Sequence, residues 1–372
     1  MFVSTAGAVS SIFLLMSSVP LFVSANGAGD AGAGLSTGVL MLGTVLAEPL
    51  TPRWTRRFGP RAVTAAGLLL LGVPSLGLWA LAAADSRAFL PVLALGFVRG
   101  AGLGIVVVVS TSVVADLAPE GRRSEVLGVY GVVVSAPGIA GLPLGVWLGL
   151  HVGYEPVFAA GALVALVPLP AALGLPSRHL DGVAHGAGLL AGIRNAGLLR
   201  PSLIFGATTV ASGVMSTFLP LAMPPGQRRW AAVALFVQSC VTPVARWAAG
   251  RYGRSAALLV PSVVLAASGL ALLVRVDAPV VALTAAALFG AGFGIAQNAT
   301  LAVMFERVER EEFDTVSTLW NLAYDAGIGI GAVGFGFVAG GFDYRVGFAV
   351  TAAVMAAALV PALLDRRAAR RA

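Results

Sequence analysis

The stretch "RGAGLGI" at residues 99–105 returns as "FGAGFGI" at residues 289–295, an offset of 190 positions. Each copy lies inside a long apolar run. The same offset matches Tyr154 with Tyr344, Phe158 with Phe348, Gly141 with Gly331 and Asp116 with Glu306. An Arg-Gly turn, "RRFGPR" at 56–61, has a counterpart in "GRYGR" at 250–254, at an offset of 194. A repeat of this length divides the chain into two versions of one unit.

The runs around these segments are membrane-spanning in length. Of the 372 residues, 58% are hydrophobic and 11% charged, where a soluble domain carries about 25% charged residues. Mean hydropathy is +0.91. A spanning helix takes about 20 apolar residues, and twelve candidates follow: 2–24, 32–52, 62–84, 88–115, 124–150, 155–175, 201–223, 230–249, 256–275, 279–304, 314–340 and 343–364. The first has no basic segment before it and is followed almost at once by the second, so it reads as a helix and not as a signal peptide. The expected fold is an all-α membrane protein of twelve transmembrane helices in two six-helix repeats. Its expected parts are an N-terminal half at 1–176, a linker at 177–200 and a C-terminal half at 201–372. The 187–199 part of the linker is mildly amphipathic and reads as a short helix along the membrane surface.

All 24 basic residues are Arg, which with the Ala and Gly excess suggests a GC-rich, bacterial genome. Eighteen arginines fall on one side of the predicted spans: Arg53, Arg56, Arg57 and Arg61 between helices 2 and 3, Arg122 and Arg123, then Arg178, Arg194 and Arg200, then Arg246, Arg251 and Arg254, then Arg307 and Arg310, and finally four in "DRRAARRA" at 365–372. Five fall on the other side, and Arg99 lies inside a span. The positive-inside rule puts the eighteen, and both termini, in the cytoplasm of a cell-membrane protein. The net charge of +7 therefore belongs to these loops, and no nucleic-acid partner is expected. The single Cys excludes an internal disulfide, and the three His have no metal-ligand spacing. No hydrolase or nucleotide-binding motif is present. No enzyme activity, cofactor or metal is expected.

Ionisable residues inside spans are costly and need a reason. Asp325 lies near the middle of helix 11, with Trp320, Asn321 and Tyr324 around it. The neighbouring helix 10 adds Gln297, Asn298 and Thr300. Polar groups at this depth face protein or a water-filled cavity. They read as a wall that receives a small organic substrate, or as interhelical hydrogen bonds worth about 1 kcal/mol each. Asp325 reads as a proton or cation site, since low dielectric disfavours a carboxylate's charged form. The alternative is a structural residue neutralised by a fixed partner such as Arg99 or hydrogen-bonded to Asn321. Glu48, one turn from the end of helix 2, is a weaker proton-coupling candidate, with an ion pair to Arg53 or Arg56 as the alternative.

Six-helix halves related by repetition are a transporter architecture, and at this point the chain resembles the major facilitator superfamily over its whole length. The family's G-x-x-x-D-R-x-G-R-R signature is represented by "PRWTRRFGPR" at 52–61, which keeps Arg57, Gly59 and Arg61 but has Pro52 for the first Gly and Arg56 for the Asp. Helix 4 carries the family's Arg-plus-Gly pattern in "RGAGLG". Helix 5, "GVVVSAPGIAGLPLG", is similar to the Gly-Pro motif of antiporters at Pro137, Gly138 and Gly141, with Ala136 and Ala140 where Gly is usual. Its small residues also read as plain packing and bending sites.

The resemblance extends to bacterial, actinobacterial-type proton-coupled drug-efflux members. It implies alternating access, export of small, largely apolar organic compounds in exchange for protons, and a monomer in the lipid bilayer. For Arg99 it implies a role in coupling or anion binding. For Asp116 it implies pairing with Arg57 or Arg61 as a latch on the cytoplasmic side, where a plain surface ion pair is the alternative. Uptake by symport or uniport, or a sensor that moves nothing, are the other functions such a chain can have.

Overall fold

A computed structural model describes residues 1–117, 123–175, 192, 194–309 and 312–369. The described residues are helical, without strand. Hydrocarbon offers backbone N–H and C=O groups no partner, and a helix satisfies them within itself. In chain order the α-helices are α1 Phe2–Met16, α2 Ser18–Val23, α3 Gly29–Ala47, α4 Thr51–Ala83, α5 Phe89–Leu117, α6 Arg123–His151, α7 Tyr154–Leu166 and α8 Leu169–Leu173. There follow α9 Ala196–Ala222, α10 Arg229–Tyr252, α11 Ser255–Leu272, α12 Pro279–Phe305, α13 Phe313–Gly341, α14 Tyr344–Ala357 and α15 Leu359–Ala369.

Ten of the resulting stretches are long and apolar enough to cross a bilayer, and the first, Phe2–Ala83, has 82 residues. At 1.5 Å per residue that is roughly 120 Å, about four times a hydrocarbon core. Positive φ at Gly27 (93°), Gly29 (64°) and Gly59 (78°) interrupts it, so it makes three passes. With one pass from each of the other nine, the described residues make twelve crossings. It forms two compact units, Met1–Val183 and Ala184–Ala372.

The repeated Gly-rich segment explains the internal architecture of each unit. A methyl group at Gly100 would collide with the Leu40 carbonyl, and one at Gly104 would lie 2.7 Å from the Thr44 carbonyl, both on α3. Between them, a methyl group at Gly102 would point the other way, 2.7 Å from the Gly67 carbonyl on α4. The second unit does the same. Gly290 and Gly294 abut Gln238 and Thr242 on α10, and a methyl group at Gly292 would lie 2.6 Å from the Ser262 carbonyl on α11. The central helix of each half is thus held at backbone contact between two neighbours, which any side chain would prevent. A methyl group at Gly141 on α6 would lie 2.8 Å from Phe13 Cβ of α1, and its repeat mate Gly331 on α13 abuts Val210 of α9. The matched Tyr and Phe pairs also pack alike. Tyr154 and Phe158 hold Phe22 at 5.4 and 5.3 Å, while Tyr344 and Phe348 hold Phe335 at 6.2 and 4.9 Å.

Several expectations need correction. The segment at 52–61 is not a loop. It is helical from Thr51, and the helix breaks at Gly59, whose φ of 78° and ψ of 156° a residue with a Cβ rarely adopts. Helix 7 begins at Ala196, capped by the Asn195 side chain on Gly197 N at 2.9 Å. Residues 196–199 therefore belong to a spanning helix and not to a surface helix, and 187–191 lie outside the described residues. Helix 8 runs on to Tyr252, so Arg246 is not a loop residue.

Candidate functional site

In the second unit, Asp325 sits twelve residues into α13 and is 8% exposed, roughly 18 Å along the helix axis. Its backbone is fixed on both sides. Thr209 of α9 donates its hydroxyl to the Ala323 carbonyl at 2.8 Å. On the next turn, Gly327 and Gly331 let α13 touch Thr209 and Val210 of α9 directly.

Beside Asp325 stands a stack of aromatic rings. Phe205 of α9 lies 4.2 Å from Trp320, centroid to centroid, at 12°. Phe205 also stacks on Tyr324 at 6.0 Å and on Phe293 of α12 at 6.4 Å, and Phe293 stacks on Phe289 at 5.7 Å. Offset near-parallel rings at 4.5–7 Å gain about 0.5–1.5 kcal/mol per pair beyond burial. The indole N–H of Trp320 donates to Thr300 Oγ1 at 3.3 Å, and Thr300 donates to the Ala296 carbonyl at 2.7 Å. Phe205 and Phe289 are fully buried, whereas Trp320 and Tyr324 are half-buried and form the accessible lip.

A cation borders the rings. Arg246 of α10 donates Nη1 to Gln297 Oε1 at 3.4 Å, one turn along α12 from Phe293. On the same side of α10, Gln238 is 6% exposed, and its Oε1 has no hydrogen-bond partner among the described residues.

The structure therefore brings Trp320, Tyr324 and Thr300 together, with Gln297 one turn from Thr300 on the same helix. Asn321 is half-buried on the same helix, next to Trp320. Asn298 is turned instead toward α10, where its Nδ2 would lie 3.2 Å from a methyl group at Gly250. Phe205, Phe293, Phe289 and Arg246 went unrecognised in the sequence. An apolar ring in a span reads the same whether it faces lipid or a cavity. The repeat held one usable signal, since Phe289 and Phe293 take the places of Arg99 and Leu103.

In the first unit, Arg99 on α5 is 1% exposed. It donates Nη2 to the Ser11 carbonyl of α1 at 3.4 Å, and its Nε has no hydrogen-bond partner among the described residues. It borders a small crevice with Met16, Val19, Ser36, Thr37 and Leu40. Glu48 is half-buried in a single turn, Glu48–Leu50, between α3 and α4. Pro137 and Gly138 lie inside α6, where Gly138 would place a methyl group 3.3 Å from the Phe13 ring.

At the start of α4, Arg57 is exposed with its guanidinium 5.2 Å from the Phe58 ring centre, Arg61 is exposed, and Gly59 is buried at the helix break. Asp116 is on the last turn of α5, and its side chain lies outside the described residues. No cluster of three or more metal-ligating side chains occurs among the described residues.

A second polar cluster was counted in the sequence only as loop and tail charge. Asp365 of α15 has a side chain 1% exposed. It accepts from Arg307 at 3.1 Å and faces Arg200 at 3.7 Å. Arg307 also donates to the Gly197 carbonyl at 2.7 Å. One carboxylate thus ties the start of α9, the end of α12 and α15 together.

The family model described as Major Facilitator Superfamily matches residues 1–227 and 203–372. The chain belongs to this superfamily. Among solved structures, a bacterial homologue of the human lysosomal transporter Spinster, in an inward-facing and unoccupied conformation, is similar at a TM-score of 0.74 and 14% identity, covering 98% of this chain and 95% of the other. The same homologue in its occupied conformation gives 0.73 and 16%, covering 98% and 96%. The nucleoside transporter NupG, as a D323A mutant, gives 0.70 and 13%, covering 98% and 99%. At these identities the likeness concerns the fold. No curated protein sequence matches the chain. As a facilitator-superfamily member it is a multi-pass membrane protein of the secondary-transporter class, which acts on small organic substrates and is not an enzyme family.

Proposed function

We propose that this facilitator exports small, largely apolar organic compounds by alternating access, in exchange for protons. The observation that carries the reading is the buried carboxylate of Asp325 beside an accessible aromatic wall. A proton carrier next to a substrate surface is what coupled exchange needs. The arginine distribution supports a cell-membrane location with both termini cytoplasmic, even with Arg246 removed from the loop count. In this reading residues 177–195 link the two halves, Asp116 pairs with Arg57 or Arg61 when the cytoplasmic side is closed, and one copy of the chain suffices.

Uptake of a small solute uses the same machinery in the other direction. Flux distinguishes the two. The purified chain is placed in proteoliposomes with and without an imposed pH gradient, using compounds first selected by comparing toxicity to an expressing and a non-expressing strain. Movement of compound against the proton flow is the expected result. Accumulation along with protons means symport, and gradient-independent flux means uniport. No flux of any compound defeats the transport reading.

A further inference from the structure

Arg246 is a charge that proton exchange through Asp325 leaves without a task. It is half-buried on α10, six residues before that helix ends. Among the described residues it makes one hydrogen bond, to Gln297, and no ion pair. A guanidinium has five N–H donors, and a carboxamide oxygen neutralises none of its charge. Holding such a charge among spanning helices carries a desolvation penalty that a counter-charge normally offsets. An ionisable residue kept there without a fixed partner is by default a ligand site.

The surroundings narrow the ligand. Gln297, which Arg246 contacts, lies one turn along α12 from Phe293, and Phe293 stacks on Tyr324 at 6.5 Å. The Tyr324 ring belongs to a set with Phe205, Phe293 and Trp320 whose stacked pairs are all within 29° of parallel. Parallel rings with an accessible lip at Trp320 and Tyr324 accept another flat ring and give little purchase to a globular aliphatic one. A guanidinium at the edge of that set recognises a carboxylate by two parallel N–H donors. Gln297 supplies one further amide group at the same edge. Asp325 follows Tyr324 in sequence and opposes an anion when ionised, so the sign of the preference is open to direct test.

We propose that Arg246 and Gln297 bind the carboxylate of a planar aromatic ligand whose ring stacks on Trp320 and Tyr324. This names a substrate class for the transport reading and rests on it for movement, but binding alone decides it.

The test uses the full chain in lipid nanodiscs, with empty nanodiscs subtracted, and three probes of equal shape: 2-naphthoate, 2-naphthamide and a naphthylmethylammonium ion. Wild-type protein is expected to bind the carboxylate about tenfold or more tighter than the amide, the ratio that one charged hydrogen bond supports. The ammonium ion is expected to bind most weakly. Arg246→Gln is expected to bring carboxylate and amide to parity. Arg246→Lys, which keeps the charge if the Gln variant does not fold, is expected to reduce the ratio without reversing it. Equal binding of carboxylate and amide by the wild type, tighter binding of the ammonium ion, or an unchanged ratio in a folded Arg246→Gln variant overturns the proposal. Carboxylate preference without any flux defeats the transport reading and leaves the site standing. Flux of neutral compounds without carboxylate preference does the reverse.

Discussion

Glu48 and Arg246 occupy the same place in the two halves. In the first, Gly104 is crowded by the Thr44 carbonyl, and the next residue reached is Glu48, whose Cγ lies 3.2 Å from a methyl group built there. In the second, Gly294 is crowded by the Thr242 carbonyl, and the next is Arg246, whose backbone N lies 3.0 Å away. The same glycine contact thus positions a carboxylate in one unit and a guanidinium in the other. After Glu48 the chain makes the short turn Glu48–Leu50, while after Arg246 the helix continues to Tyr252. The two halves kept a packing scheme and diverged in charge.

That scheme has a cost if a methyl group is added. Gly100→Ala and Gly294→Ala each force a backbone separation between helices, and each is expected to destabilise the protein by about 1–3 kcal/mol. Gly334→Ala, where nothing lies within 4 Å, is expected to be neutral or slightly stabilising. Thermal unfolding of the purified variants checks the contrast. Equal midpoints for Gly294→Ala and Gly334→Ala would refute the close-approach account.

The two Arg-Gly turns of the repeat differ in kind. Gly253 (φ 68°, ψ 9°) is left-handed helical, a conformation other residues tolerate at about 1 kcal/mol. Gly59 (φ 78°, ψ 156°) lies where essentially only Gly goes. Gly59→Ala is expected to lower the unfolding temperature more than Gly253→Ala, by a difference on the order of 1–2 kcal/mol. Measured midpoints in the opposite order would reject this reading of the break.

Asp365→Asn removes the charge that Arg200 and Arg307 share. Those arginines are 38% and 25% exposed, so the loss falls between the roughly 1 kcal/mol of a surface pair and the roughly 3–5 kcal/mol of a buried one. Arg307→Gln is expected to cost more than Arg200→Gln, because Arg307 is the closer partner and also holds the Gly197 carbonyl. Expression level and melting temperature of the three variants test the order.

Asp325→Asn keeps size and hydrogen bonding but cannot change charge. The variant is expected to fold, bind substrate and exchange it, yet lose transport driven by a pH gradient, while Asp325→Glu retains part of it. Wild-type gradient-driven flux in the Asn variant would exclude Asp325 as the proton carrier. Loss of folded protein would instead point to a fixed counter-charge, worth about 3–5 kcal/mol.

Orientation is tested by fusion at the C-terminus. A reporter active only inside the cell is expected to be active there. Activity of a periplasm-only reporter would reverse the topology drawn from the arginines.

Much of this was legible in the sequence, for reasons that particular residues make plain. Twelve passes follow from run length, because a bilayer sets one scale for every span. The repeat at 99–105 and 289–295 survived because each of its glycines is in backbone contact with a neighbour. Trp320, Tyr324, Thr300 and Gln297 stood out as polar or amphipathic groups in apolar runs, and the first three come together in the structure. Arg246 was hidden by its position, because closeness to the end of a span reads as loop when the helix end is taken a few residues too early. Phe205 carried no signal, since burial against Trp320 depends on which way α9 faces. Asp365 was masked by the arginines that follow it, and its partners are distant in sequence.

The Asp365 clamp also bears on how the protein is made. Arg200 opens the second half and Arg307 follows its fourth crossing, so both are synthesised and inserted before their shared carboxylate exists. Until α15 leaves the ribosome, Arg200 and Arg307 lack the carboxylate they share. The half is therefore expected to close last, from its final helix, and premature termination before residue 365 leaves a product for quality control and not a shortened transporter.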